Sequence, residues 1–386
     1  MKERILILNA QAVQTLIVAK SLYENGYEVD VLCDGKDNYG YHTKYAQMRY
    51  VGPECCDENK YVDFLVNLLK CENYATVIPM DDPSAVITSK YKRQIELYSK
   101  VLIPDYEVFC KAYDKNQLMA LCKRNGYPHP RTIDLTKETL DSIPDDIFPA
   151  LIKPNCTSGG RGMSLVSSID ELKEKAPAII KTYGPSHLQE FIEPGGKQIK
   201  VQVFIDRRTD EYYTSVIHKQ RYYPEKGGSS CCNVTIQDTS LSIMCKRVLD
   251  DIGWDGFADF DLIEDPKDGI CKIMEINPRI PACVKSAVLS GMDYGTMIAE
   301  VSIGKGLRSY IYKPGQKLRH IGLEMLWFIS SKDRLKVKPS WFRWIDSKLS
   351  FQDFSWKDPI PFFFGTWGNI KKQMNSDFRK AKDGLR

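Results

Sequence analysis

Apolar residues follow two rhythms along this chain. Short continuous runs alternate with longer segments in which apolar residues return every three or four positions. "RILILNA", from Arg4, is a run bounded by polar residues, the pattern of a strand buried on both faces. "QTLIVAKSLYENG" reads as a helix closed by Gly26, and "YEVDVLCD" as the next strand. A helix at "YVDFLVNLLKCEN" then leads to a strand at "ATVIPMDD". This rhythm predicts a small doubly wound domain over residues 1–110. Its first turn, "LNAQAVQT", has no G-x-G-x-x-G pattern, so no dinucleotide site is expected there.

The texture changes at "DKNQLMALCKRNGYPHPRT". Asp114 can cap a helix running to Asn125 and Gly126, after which two prolines force an extended exit. Strands follow at "FPALIKP", "SLVSS", "HLQEFIEPG", "IKVQVFID" and "YYTSVIHKQ", and a helix at "TSLSIMCKRVLDDIGW". "GFADFDLIED" and "GICKIMEINPRI" form a hairpin across "PKDG". Residues 111–305 thus read as α+β with antiparallel character. From Ser340 the chain is dense in aromatics, and Trp341, Trp344, Trp356 and Trp367 are expected to pack an extension over the core or a partner. A packed extension is the preferred reading over a membrane contact.

Composition adds bounds. With 386 residues, 43% hydrophobic and 27% charged, the chain is a multidomain globular protein. A net charge of +4 is too mild to argue for nucleic acid. No signal peptide and no run of ~20 apolar residues is apparent, so a cytoplasmic protein without a transmembrane segment is expected. Twelve cysteines without a CxxC spacing read as reduced thiols and not as zinc ligands.

The chemistry concentrates in two places. In "NCTSGGRGM", Gly159, Gly160 and Gly162 let the backbone approach a ligand, and consecutive N–H groups make an anion-binding concavity. Lys153 ends the strand feeding this loop, and Lys115 follows the capping aspartate. In "KIMEINPRI", Glu275, Asn277 and Arg279 alternate and so share one strand face. If the hairpin connection is Pro266–Ile270, an odd number of residues, Asp261 lies directly across from Glu275. Opposed carboxylates repel unless a hard divalent cation sits between them, and Asn277 adds a neutral oxygen. Arg279 could then grip a phosphate or carboxylate.

Taken in order, "DKNQLMALCKRNGYPHPRT", "FPALIKPNCTSGGRGM", "LQEFIEPGGKQIKVQVFID", "KGGSSCCNV", "GFADFDLIED" and "KIMEINPRI" resemble the ATP-grasp superfamily, specifically its carbamoyl-phosphate-synthase-like carboxylate–amine ligase branch. The resemblance covers residues 1–305 and is most specific from Gly256 to Arg279. It implies a Rossmann-like pre-ATP-grasp domain (1–110), a small subdomain with the glycine loop (111–187) and a large subdomain with the Mg–ATP site (188–305), followed by a C-terminal extension (306–386). By position it implies ATP contacts from Lys115, Lys153 and the loop Thr157, Ser158, Gly159, Gly160 and Gly162. Glu190, Phe191 and Ile192 match the adenine-reading hinge, and Asp261, Glu275 and Asn277 the ligands of Mg²⁺, which Mn²⁺ could replace. Arg279 matches the arginine beside the reacting phosphate; Arg221 matches a basic residue that helps hold the carboxylate, with His218 and Lys219 as weaker candidates. Gln198 stands where many relatives have an acidic ribose ligand, a departure that leaves hydrogen bonding intact but bears on nucleotide preference.

The activity so implied is ATP-dependent ligation of a small carboxylate to an amine, or to a thiol, through an acyl phosphate. The alternatives are a regulatory ATP-binding protein and a fragment acting on bicarbonate. The absence of a Ser-His-Asp or Cys-His set fits a reaction that needs no protein nucleophile. A homodimer, and a partner held by the aromatic extension, are compatible with this reading.

Overall fold

The computed structural model describes residues 2–136, 138–140, 142–157, 159–224 and 228–374. The first apolar runs form a four-stranded parallel sheet in the order β3-β2-β1-β4. Its strands are β1 (Arg4–Leu8), β2 (Glu28–Cys33), β3 (Arg49–Val51) and β4 (Thr76–Pro79). Helices Thr15–Glu24 and Glu58–Cys71 provide the crossovers, and Asp57 caps the second by accepting from the Lys60 N–H. Leu6, Leu8 and Val77 face one core with Tyr61 and Leu65; Ile5, Ile7 and Ile78 face another with Val18 and Leu22. Both faces are covered, which explains runs without polar alternation. At the carboxyl end of β4, Asp81 caps the helix Asp82–Lys90.

The helix Lys115–Asn125 begins as expected, with the Asp114 carboxylate accepting from the N–H groups of Asn116 and Gln117. It ends at Gly126, whose φ of +73° is left-handed and favours glycine. A second sheet follows, ordered β5-β8-β6-β7: β5 (Thr132–Asp134), β6 (Ala150–Pro154), β7 (Ser164–Val166) and β8 (Ser186–Glu190), all neighbours antiparallel. Ile152, Val166 and Leu188 pack with Leu172 and Ala176 of the helix Ile169–Tyr183 into a core of their own.

The third sheet is the scaffold of the site. It comprises β9 (Gln198–Asp206), β10 (Glu211–Tyr223), β11 (Ser229–Ile236), β12 (Gly256–Glu264), β13 (Cys271–Asn277), β14 (Lys317–Arg319) and β15 (Leu349–Phe351). The order is β13-β12-β9-β10-β11-β14-β15. One face packs on the helix Thr239–Ile252 through Ile199, Val201, Phe260 and Val248. Residues two apart from Lys200 and Asp261 point to the other face.

The hairpin corrects one expectation. Its connection is Asp265–Ile270, an even number of residues, because Glu264 pairs with Cys271. A bulge at Met274 adds the missing residue, so that Leu262 pairs with Ile273 while Asp261 pairs with Glu275. The two carboxylates are opposed as expected, through the bulge and not through the turn.

The aromatic extension also departs from expectation. Its strands β14 and β15 widen the third sheet, and the helix Ile321–Ser330 lies over β10 and β11. Trp341 packs on Phe328 and Trp344 on Phe351, and Trp344 also covers the Arg319 guanidinium. Trp356 meets only the edge of Phe354, and it and Trp367 stay 86% and 53% exposed.

Candidate active site

Neighbouring strands bring one polar face together. Lys200 and Gln202 on β9 pair with Asp261 and Asp259 on β12, which pair in turn with Glu275 and Asn277 on β13. The Lys200 ammonium donates to Asp259 at 2.6 Å and to Asp261 at 2.7 Å. Lys219 donates to the other Asp261 oxygen at 2.8 Å, and the Asn277 amide to Asp261 at 3.0 Å. Burial pushes the Asp261 carboxyl upwards, but Lys200 and Lys219 outweigh it and hold the group well below the usual carboxylate range. Burial likewise opposes the charge on Lys200, and Asp259 and Asp261 outweigh it, so this lysine keeps its proton.

Arg279 follows β13 and reaches back to the first domain. Its Nε donates to Asp82 at 3.1 Å and its Nη2 to the Asn277 amide oxygen at 3.4 Å. Gln14, from the end of the first βα turn, donates to the carbonyls of Met80 and Ile280, which fixes the segment around Arg279 against the first sheet.

Two lysines reach in from the opposite side, one from the helix Lys115–Asn125 and one from the second sheet. Lys115, at the start of its helix, lies 3.4 Å from Glu275 and donates to the Thr157 carbonyl at 2.6 Å. Lys153 ends β6 almost wholly buried and donates to Gln189 at 2.9 Å. Burial pushes its ammonium down, Glu275 partly restores it and Lys115 opposes it, leaving it lowered to about 8. Around the loop, Gly159, Gly160 and Gly162 have φ of +68°, +75° and +71°. At Gly162 the reason is also spatial, since a Cβ would lie 2.6 Å from the Tyr183 ring. Thr157 Oγ donates to the Arg161 carbonyl across the loop. Ser158 lies outside the described residues.

Other expected residues are placed as follows. The Glu190 carboxylate is held by Lys272 at 3.0 Å, the Phe191 N–H donates to the Pro149 carbonyl, and Ile192 is half-buried beside them. Gln198 opens β9, half-buried between Lys219 and Ile263. Arg221 is the correction. Its guanidinium is buried under the extension, donating to both oxygens of Glu324 at 2.9 and 3.2 Å and to the Pro339 carbonyl at 2.7 Å. A group so engaged has no face left for a substrate. Lys219, ranked lower on sequence, is the β10 cation that joins the site.

Three residues escaped the sequence reading. Asp259 and Lys200 repeat the every-second-residue pattern of Glu275 and Asn277, in "ADFD" and "QIKVQ", and that alternation was the available signal. Asp82 sits in "MDDP", a helix start, and nothing local distinguishes it from a cap. Together, five cations (Lys115, Lys153, Lys200, Lys219, Arg279) face four carboxylates (Asp82, Asp259, Asp261, Glu275). Beside Asp114 opens a cleft of about 340 Å³ lined by Glu58, Tyr106, Tyr113 and Gln117.

The donor set fits a magnesium ion. Asp261 and Glu275 provide hard oxygens at paired positions, and a half-turn of the Asn277 amide would bring its oxygen to the same side. The second oxygen of Asp259 is buried and has no hydrogen-bond partner, so the face holds unneutralised acceptor capacity. Lys200, Lys219 and Lys115 pair with these carboxylates.

Residues 114–310 match the profile of the carbamoyl-phosphate synthase L chain, ATP binding domain, which is more than half the chain. The chain belongs to this family. The carbamoyl phosphate synthase large chain of Campylobacter jejuni is 23% identical over 302 residues, 74% of this chain and 26% of that protein. The chain therefore spans about a quarter of the length of that curated relative. The D-aspartate ligase of Enterococcus faecium is 23% identical over 246 residues, 58% of each. Among solved structures, the biotin carboxylase domain of the Hydrogenobacter thermophilus 2-oxoglutarate carboxylase, in complex with MgADP, ADP and bicarbonate, superimposes with a TM-score of 0.68 at 17% identity. The match covers 82% of this chain and 74% of that one. In this ATP-grasp fold the glycine loop and the β12–β13 face come from different sheets and are brought together across the cleft that Lys115 bridges.

Proposed function

We propose that the protein is an ATP-dependent ligase that activates a small carboxylate as an acyl phosphate and passes it to an amine. The observation that carries this is the opposition of Asp261 and Glu275 on one sheet face, with Arg279 beside them and Lys115 and Lys153 reaching in from a helix and the second sheet. A surplus of positive charge over the fixed carboxylates suits a polyphosphate that arrives with its metal. Asp261, Glu275 and Asn277 would hold Mg²⁺, which when bound neutralises phosphate charge and orients the terminal phosphate.

The residues of the chain then do the positioning. Lys115 and Lys153 bind phosphate oxygens, and the N–H groups of Gly159, Gly160 and Gly162 close over them and exclude water. Arg279, already turned to the site by Asp82, holds the acceptor carboxylate or the transferring phosphoryl group. A carboxylate oxygen attacks the terminal phosphorus, the bond to the bridging oxygen breaks and ADP leaves. The amine nitrogen then attacks the acyl carbon, and phosphate departs as the nitrogen sheds a proton.

The test is a screen of carboxylic acids with ATP, Mg²⁺ and hydroxylamine as a stand-in amine. With the right acid, ATP-dependent hydroxamate is expected, and it should vanish in Arg279→Ala. ADP formation without hydroxamate for any acid would replace the ligase with an ATPase or a kinase acting on a hydroxyl.

A further inference from the structure

The helix Ile360–Met374 is packed inside out. Its small residues face the protein: a Cβ on Gly365 would lie 2.3 Å from the ring of Tyr39, and one on Gly368 would lie 2.1 Å from the Asp37 carbonyl oxygen. Its bulky residues face away. Ile360, Phe363, Trp367, Ile370 and Met374 recur at helical spacing as one stripe, each between 46% and 74% exposed, while Phe364 beside them stacks on His42. A helix that docks on its own protein normally buries such a stripe. Here the close backbone approach to the first domain is made by the glycines, with Phe364 stacked on His42 at its edge, and the rest of the apolar face is left for something else.

We propose that this face lies in the headgroup region of an anionic lipid bilayer, holding the enzyme to a membrane surface. The described helix has 15 residues, about 22 Å, which is shorter than a hydrocarbon core of about 30 Å. No described helix is long and apolar enough to cross a membrane. Aromatic and aliphatic residues on one face with basic residues at the end are what an in-plane helix uses. The charge supports lipid over protein: from Lys371 to Arg386 the sequence carries six Lys or Arg and two Asp. Lys371 and Lys372 pair with Asp37 and Asp34, and the remaining four basic residues, which lie outside the described residues, exceed the two Asp of that segment by two charges.

The extension repeats the arrangement once more. The helix Ile321–Ser330 buries Glu324 and Trp327 but turns Met325, Leu326 and Ile329 outwards, at 44%, 44% and 73% exposure. It runs directly into "SKDRLKVK", whose four basic residues are all exposed. Two apolar faces, each followed by a basic cluster, complement an anionic surface. A second copy of the chain on the same faces would set basic against basic.

Flotation of the full chain with vesicles tests this. Vesicles of phosphatidylcholine with phosphatidylglycerol are expected to carry the protein, and vesicles of phosphatidylcholine alone, or raised salt, to carry much less. The double substitution Phe363→Ser, Trp367→Ser touches exposed side chains, so its melting temperature should stay at the parent's while vesicle binding falls roughly tenfold or more. Three results would overturn the proposal. These are no flotation with anionic vesicles, equal flotation of parent and variant, and a parent dimer in sedimentation that the variant loses without any vesicle binding.

Discussion

Replacing Glu324 with alanine is expected to cost more stability than a position on a short peripheral helix would suggest. The side chains of Arg221 and Glu324 are 1% and 0% exposed, and two charge-assisted hydrogen bonds join them. After the substitution Arg221 keeps only the Pro339 carbonyl and the face of Trp327, 5.3 Å from the ring centre. An arginine left buried without its counter-charge costs about 3–5 kcal/mol. Glu324→Gln keeps an acceptor and should cost about 1–3 kcal/mol. Arg221→Met with Glu324→Leu removes both charges and should return to within roughly 1 kcal/mol of the parent, or exceed it. The assay is urea unfolding followed by tryptophan fluorescence, because Trp327 and Trp341 sit on the pair and report the extension's own transition. The reasoning fails if Glu324→Ala unfolds like the parent, or if the double variant is as unstable as the single. The double variant also settles the role of Arg221. It should keep ATP turnover, whereas a folded but inactive double variant would return Arg221 to the substrate.

Glu275→Ala should abolish ATP turnover with an unchanged circular-dichroism spectrum, since it removes a half-exposed carboxylate and no core volume; full turnover would remove this face from the reaction. Lys153 loses its ammonium as pH rises through about 8, so ATP affinity should fall above that pH, and binding near pH 8 should take up protons, read by calorimetry in buffers of different ionisation enthalpy. The sign for folding is opposite: between about 8 and 10.5 the unfolded lysine binds more protons than the folded one, so this group makes stability rise with pH. Gly162→Ala should slow turnover more than Gly159→Ala, because both positions are left-handed but only Gly162 has the Tyr183 ring where a Cβ would go; equal rates would remove the steric part of the argument.

Much of the fold could be read from periodicity because its strands are long or continuously apolar. β1, β2 and β4 are buried on both faces, and the hairpin of β12 and β13 carries Asp259 and Asp261, and Glu275 and Asn277, on alternate positions. The bulge at Met274 left no sign, since an apolar residue there looks like any core position. β14 and β15 are three residues each, too short for any pattern. The site divides the same way. Glu275, Asn277 and Arg279 announce themselves by spacing, and Lys115 by its cap. Arg221 misled because its partner Glu324 lies 103 residues away on a helix with no sequence signature of pairing. The outward Trp356 and Trp367 misled because aromatic content predicts burial but not which side of a helix is covered.

The acyl phosphate itself can be followed by its oxygen. If a carboxylate attacks the terminal phosphorus of ATP, one carboxylate oxygen must end in the phosphate released when the amine takes the acyl group. The measurement is turnover with the acid found in the hydroxylamine screen, labelled with ¹⁸O in its carboxylate, and ³¹P NMR of the inorganic phosphate. One label per phosphate is expected. Phosphate free of label, formed alongside the amide product, would contradict the mechanism.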